Sequence, residues 1–192
     1  MAREFELKFR ATPAQMAHIL TDFGGFSPIS METTYYDTPS RALSARHITL
    51  RLRLENGISV CTLKTPGEGY ARGEWTVEEE EIGKAISELC KLSGIGELSQ
   101  WVAEGLSPLC SARFLRQCKV LSQPEFQAEL ALDQGLLLGA GREMALCEVE
   151  LELLSGSETA LVAYCEHLSL QYGLIPEAQS KFRRALALAT GE

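Results

Sequence analysis

Arg3-Glu4-Phe5-Glu6-Leu7-Lys8-Phe9-Arg10 alternates without a break. Phe5, Leu7 and Phe9 fall on one face of an extended chain, and Glu4, Glu6, Lys8 and Arg10 on the other, the period of two expected of a β-strand. The pattern returns at 48–54, where Ile48, Leu50, Leu52 and Leu54 oppose Thr49, Arg51 and Arg53. It returns again at 145–154, where Cys147, Val149, Leu151 and Leu153 oppose Glu148, Glu150 and Glu152. Each of these strands has an apolar face and a polar or charged one. The fold turns on where the charged faces point.

Working outward, Thr12-Pro13 reads as an N-cap and first turn of a helix over 13–23, ended by Gly24-Gly25. A short strand is expected at 33–36, closed by the turn signal Asp37-Thr38-Pro39. Asn56-Gly57 is a hairpin signal, with the returning strand over 58–64 and a loop at Pro66-Gly67-Glu68-Gly69. A strand over 72–80 precedes a helical stretch over 83–105, interrupted by Gly94 and Gly96. Two strands follow near 111–121 and 125–133, with a glycine-spaced hairpin region from Gly135 to Gly141. Ser155-Gly156-Ser157 breaks the strand at 145–154 and leads into a helix over 158–172, and a last helix is expected over 177–189. The strands do not alternate with helices as in βαβ units. The expectation is one α+β domain over 1–192, with about eight antiparallel strands and flanking helices.

The chain has 192 residues and a formal net charge of −8. That charge argues against binding to nucleic acid or membrane through a general basic field, though not against a local basic site. No apolar run approaches the ~20 residues of a membrane span, and the N-terminus lacks the apolar stretch of a signal peptide. Six cysteines lie at 61, 90, 110, 118, 147 and 165, none in a C-x-x-C pair. Scattered thiols of this kind suit a reducing compartment, and the chain is read as cytoplasmic.

Charged strand faces often meet water. Here the signs are segregated by strand, acids on some and bases on others, whereas solvated faces intersperse them. Like charges two apart on a strand also repel and contribute little by themselves. The other reading closes the sheet, since a barrel of about eight strands has an interior wide enough for one small ligand. A lumen of glutamates alone would be costly. One holding glutamates, a divalent cation, a polyphosphate and Arg/Lys would be balanced, because hard cations select carboxylate oxygens and guanidinium groups grip phosphate.

Glu4-Phe5-Glu6-Leu7-Lys8 matches the E-x-E-x-K signature of the CYTH superfamily, the triphosphate tunnel metalloenzymes. Tyr35-Tyr36-Asp37-Thr38-Pro39, Leu50-Arg51-Leu52-Arg53, Thr62-Leu63-Lys64, Arg72-x-Glu74, Ala131-Leu132-Asp133, Cys147-Glu148-Val149-Glu150 and Ser180-Lys181 resemble further family segments in the same order. The resemblance is strongest to bacterial inorganic triphosphatases, which often carry a downstream helical, histidine-containing domain; the 192 residues end before one, as expected either of a stand-alone form or of an excised domain. It implies an antiparallel eight-stranded β-barrel tunnel that hydrolyses a triphosphate, expected to be inorganic tripolyphosphate, to diphosphate and phosphate. It further implies one or two Mg²⁺ or Mn²⁺ ions held by Glu4, Glu6, Asp133, Glu148 and Glu150. The phosphates would be held by Lys8, Arg51, Arg53, Lys64, Arg72, Arg116 and Lys181, with Lys8, Arg53 and Glu150 as catalytic candidates. Arg113 is the alternative to Arg116. Glu152 is either a third ligand on the late strand or, the preferred reading, a residue of the barrel rim.

The same resemblance leaves class IV adenylyl cyclase and thiamine triphosphatase activities as alternatives, and a non-catalytic polyphosphate or nucleotide sensor as a third. Partners are expected to be a small polyanion, with no nucleic acid and no membrane; the number of copies in the assembly, a homodimer included, is open. Elsewhere, Glu78 to Glu81 reads as a solvated strand end, and His18 and His167 as surface or packing residues. His47, just before the arginine strand, could touch the rim. Tyr35 and Tyr36 are expected in core or wall, and Trp75 and Trp101 in packing.

Overall fold

The structure, a computed structural model, describes residues 3–191. Strand β1 (Arg3–Arg10) leads into helix α1 (Pro13–Phe23). Then come β2 (Ser27–Asp37), β3 (Thr49–Glu55), β4 (Ile58–Thr65), β5 (Ala71–Glu78), helices α2 (Ile82–Ser93) and α3 (Leu98–Trp101), and the long strands β6 (Ser107–Ser122), β7 (Phe126–Gly139) and β8 (Arg142–Gly156). Helix α4 (Glu158–Tyr172), the two-residue β9 (Ile175–Pro176) and helix α5 (Lys181–Thr190) complete the chain. No helix among the described residues is long and apolar enough to cross a membrane.

The strands pair antiparallel in the order β5-β4-β3-β2-β6-β7-β8-β1. The ring closes where β1 meets β5, with Arg3 opposite Gly73, Glu4 opposite Arg72 and Phe5 opposite Ala71. β9 adds to β1 beside Phe9 and Arg10. The expected eight-stranded barrel is therefore present, and it is inside-out relative to an ordinary core. Phe5, Leu7 and Phe9 point outward into a cluster with Met16 and Ile19 of α1 and Leu161, Cys165 and Leu168 of α4. Leu50 and Leu63 point outward under Ala85, Ile86 and Leu89 of α2 and Leu98 of α3. Outer helices thus take the apolar faces, which leaves the charged faces to line the lumen.

α5 does not join that outer shell. Phe114, Leu137 and Leu146 share strand parity with Arg116, Asp133 and Glu148, and they cluster with Ala185, Phe182, Leu186 and Ala189 of α5. The helix therefore packs on the inner surface of β6–β8 and fills one side of the barrel.

Several boundaries differ from expectation. β2 spans Ser27–Asp37 rather than 33–36, because β6 pairs with it from Ser27 opposite Cys118 to Asp37 opposite Ser107. β7 runs straight through Gly135 to Gly139, and only Ala140 and Gly141, with φ of 48° and 75°, make the turn. Gly135 marks a close approach of strands: a Cβ there would lie 2.1 Å from the Arg113 carbonyl oxygen. The last helix begins at Lys181, not 177. The Glu177 N–H donates to the Lys8 carbonyl at 2.9 Å, continuing the strand pairing, and the Ser180 hydroxyl then caps the helix by accepting from Arg183 N at 3.1 Å. Asn56 and Gly57, with φ of 48° and 93°, form the expected hairpin.

Candidate active site

The inward faces enclose a cavity of about 290 Å³. Seven carboxylates line it (Glu4, Glu6, Glu55, Glu74, Glu129, Glu150, Glu152), and so do seven cationic side chains (Lys8, Arg51, Arg53, Lys64, Arg72, Arg116, Lys181). Ten of the twelve residues expected to touch metal or phosphate are among them. The other two, Asp133 and Glu148, are fully buried behind the wall.

The register explains the convergence. Across β1 and β8, Glu6 stands opposite Glu152 and Lys8 opposite Glu150. Across β6, β7 and β8, Arg116 stands opposite Asp133, and Asp133 opposite Glu148. Lys64 faces Glu74 across β4 and β5. Arg116 rather than Arg113 is the inward residue. Arg113 has the opposite parity and lies exposed outside, 3.9 Å from Glu32.

The expected metal ligands fall into two groups. Oxygens of Glu4, Glu6 and Glu152 lie within 4.8 Å of one another, and so do oxygens of Asp133, Glu148 and Glu150. The second group is already matched by cations. Lys181 Nζ lies 2.8 Å from Asp133 and 2.6 Å from Glu148, and it also pairs with Glu150. Arg116 grips Asp133 with two hydrogen bonds, at 2.8 and 2.7 Å, and donates to Glu150 at 2.5 Å. Arg184 pairs with Glu148. Burial opposes ionisation of Glu150, but Lys181 and Arg116 hold its carboxyl well below the usual range. Burial likewise opposes the charge on Lys181, yet Asp133, Glu150 and Glu148 push its ammonium upward.

The first group is short of positive charge. Lys64 reaches Glu4 at 2.8 Å but divides itself with Glu74 at 2.9 Å. Lys8 is 3.4 Å from Glu6. Burial, and then the charges of Glu6 and Glu74, outweigh Lys64 and push Glu4 up to about 7. Burial, with Glu4, Glu6 and Glu74, does the same to Glu152. Arg72 Nε approaches Glu4 Oε2 to 3.4 Å, yet among the described residues that buried oxygen has no hydrogen-bond partner. Glu152 is thus not the rim residue that was preferred: β8 points it into the cavity beside Glu4 and Glu6. A compact set of carboxylate oxygens with too little neutralising charge suits a hard divalent cation.

Facing these acids, Arg53 is buried, its Nε donating to Thr33 Oγ1 at 2.9 Å and its guanidinium 5.7 Å from the Phe114 ring centre. Burial and the neighbouring Arg51 lower it to about 10, so it remains charged at neutral pH. Arg51 lies 3.5 Å from Glu74, whose carboxyl is held at about 2 by Lys64 and Arg51 against the opposing effect of burial. Tyr35 is wall, as expected, its ring 5.1 Å from that of Phe182. Asp37 is structural: it is fully buried and accepts from the backbone N–H groups of Thr38, Leu43 and Ser44. His18 and His167 are exposed on helices.

Glu55, Glu74, Glu129 and Arg184 were not assigned roles from sequence. Parity offered a signal for three of them, since Glu55 shares a face with Arg53, Glu74 with Arg72 and Glu129 with Asp133. Arg184 follows Lys181 by three positions on α5, the spacing of side chains on one helix face.

Residues 2–186 match the family model described as the CYTH domain. The chain is 27% identical over 199 aligned positions to an inorganic triphosphatase of Haemophilus influenzae, covering 99% of this chain and 56% of that protein. It therefore spans about half the length of that relative. Among solved structures, a candidate adenylate cyclase from Bacillus halodurans superposes with a TM-score of 0.67 at 19% identity, over 96% of this chain and 98% of that one. A Hippeastrum protein described as a candidate adenylyl cyclase with a dominant triphosphatase activity superposes at 0.65 and 17% identity, over 100% and 97%. With the motifs, the closed barrel and the family match in agreement, the chain belongs to the CYTH domain family.

Proposed function

We propose that the chain hydrolyses a linear triphosphate, inorganic tripolyphosphate foremost, inside the barrel cavity with the help of a divalent cation. The observation that carries this reading is the opposition, within one cavity, of an under-neutralised carboxylate cluster and a row of inward arginines and lysines. Glu4, Glu6 and Glu152 would hold Mg²⁺ or Mn²⁺, which supplies positive charge to phosphate oxygens there. Asp133 and Glu148, also expected as ligands, are given instead the task of fixing Lys181 and Arg116.

Phosphoryl transfer asks a protein for placement and charge stabilisation more than for a nucleophilic side chain. Arg51, Arg53, Lys8 and Arg116 orient the chain of phosphates. Water adds to the terminal phosphorus, the bond to the bridging oxygen breaks, and the negative charge gathered on the leaving diphosphate is met by the basic wall. Burial of the wall strengthens each of these contacts relative to water. The inorganic triphosphatase relative supports this choice of reaction.

All six cysteines are unpaired, which suits a reducing compartment such as the cytoplasm. The test is release of phosphate from tripolyphosphate with and without Mg²⁺ or Mn²⁺, with ATP assayed alongside for cyclic AMP. Metal-dependent phosphate release without cyclic nucleotide is expected. Cyclic AMP as the main product overturns the hydrolase reading, and tight binding with no product from any triphosphate replaces it with a sensor.

A further inference from the structure

A second cavity, of about 300 Å³, adjoins the first and shares Thr49, Lys64, Arg72, Ser180 and Phe182 with it. Its outer wall is built from three separate pieces of chain. His47 follows a 3-10 turn at Ser44–Arg46. The β4–β5 loop contributes Pro66, Gly67 and Gly69, and α5 contributes Arg183. The two cavities differ in charge. The inner one carries seven carboxylates, whereas no carboxylate lines the second among the described residues. Lys64, Arg72 and Arg183 are its charged groups, with the His47 imidazole beside them as a polar hydrogen-bonding group. Arg183 and His47 are exposed and hold no ion pair among the described residues.

Lys64 and Arg72 stand in both cavities, so an anion held by them at the edge of the inner site has its next atoms in the second. A linear polyanion that fills the inner cavity can therefore continue outward over a surface with no like charge to repel it. A nucleobase would gain little there, because Phe182 is the one aromatic ring besides the His47 imidazole in that wall.

Resting on the triphosphate reading of the inner cavity, we propose that this vestibule binds the extra phosphates of linear polyphosphates longer than three units, with His47 and Arg183 as the residues that read chain length. The uncleaved remainder lies in the vestibule while the terminal phosphate sits among the inner carboxylates. The charges of the vestibule are exposed, so their contribution is partly screened and depends on salt.

The test is calorimetric titration of the metal-free protein, which does not depend on turnover, with tripolyphosphate, with a linear polyphosphate of about ten units and with ATP, at low and high salt. Arg183→Glu and His47→Asn are compared with the parent chain. Glutamate at Arg183 occupies the third position after the Ser180 cap, where it favours a helix start. Asparagine at His47 tolerates its left-handed backbone, φ 56°. Both variants should therefore fold, which thermal denaturation checks.

The parent is expected to bind the longer chain about fivefold or more tightly than tripolyphosphate, a gap that narrows in high salt. Arg183→Glu should close the gap, and His47→Asn reduce it, with tripolyphosphate and ATP unaffected. Equal affinity for the two inorganic chains in the parent overturns the vestibule and leaves the inner site standing, as does a gap that survives Arg183→Glu. A variant that weakens ATP instead of the longer chain assigns the vestibule to an organic group. Failure of every ligand to bind overturns the vestibule, and the same titration repeated with Mg²⁺ then decides the inner site: no binding there removes that reading too.

Discussion

Glu6 and Glu152 stand directly opposite one another across the β1–β8 pair, both inside the barrel. Like charges at opposed positions of a ladder destabilise it, so the fold carries a local excess of negative charge that a bound cation would relieve. Glu152→Gln is therefore expected to make the metal-free protein more stable, by up to ~1 kcal/mol or a few degrees in Tm. The same change should lower metal-dependent phosphate release by about 10²-fold. Asp133→Asn should act in the opposite sense on stability. It leaves Lys181 and Arg116 partly uncompensated in a buried site, a loss of the kind that costs ~3–5 kcal/mol. Thermal denaturation without metal checks both signs; a lower Tm for Glu152→Gln would contradict the cation reading of its cluster.

The pH dependence follows from the same cluster. Burial first, and neighbouring carboxylates second, hold Glu4 and Glu152 at about 7, while in the unfolded chain such groups ionise near ~4.3. Between those values the folded state binds more protons than the unfolded one, so stability falls as pH rises through the window. Glu74, held at about 2, contributes stability that is lost only as pH falls toward that value, below the window. The metal-free protein should melt lower at about pH 8 than at about pH 5.5, and added Mg²⁺ should raise Tm more at the higher pH. A Tm that is flat or rising across this range sinks the prediction. Glu152→Gln should flatten the slope.

Much of this was legible in the sequence because one periodicity governs both fold and site. In β1, the alternation that sends Phe5, Leu7 and Phe9 under α1 and α4 also sends Glu4, Glu6 and Lys8 into the lumen. Arg116 against Arg113 could not be settled that way without the register of β6, which only its pairing with β2 and β7 fixes. The division of the acids into two groups was equally hidden. It depends on α5 packing inside the barrel and delivering Lys181 and Arg184 to Asp133, Glu148 and Glu150, and a helix pattern alone does not say which side of a sheet the helix will cover. Glu152 was misplaced for the same reason: its strand parity was plain, but the length over which β8 stays inside the ring was not.

Arg53 tests the basic wall. Thr33 Oγ1 and the Phe114 ring fix a buried guanidinium that remains charged at neutral pH, so geometry as well as charge is supplied. Arg53→Lys keeps the charge but loses the planar fork, and kcat/KM is expected to fall about 10²-fold. Thr33→Val removes the hydrogen bond that aims Arg53 and leaves its 3.6 Å contact with Glu55. It should cost roughly tenfold, mostly in kcat, while leaving Arg53 in place. Steady-state kinetics on both variants distinguish the two: equal losses would mean that Thr33 does more than orient.

Gly139 ties the position of α5 to the charge network. A Cβ at this residue would lie 2.6 Å from both Ala185 O and Ala189 N, so even alanine must displace the helix backbone. That helix begins with Lys181, whose ammonium sits among Asp133, Glu148 and Glu150. Gly139→Ala is expected to cost ~1–3 kcal/mol through overpacking, with part of the loss coming from the loosened ammonium. Lys181→Met removes the same charge without moving the helix. If the two effects share that loss, the double variant should be destabilised by less than the sum of the singles, with a coupling of ~0.5 kcal/mol or more. Strict additivity in denaturant melts would show that the seat of α5 and the Lys181 contacts are independent. Coupling would make the inner helix the element that sets how much positive charge the second acid group receives.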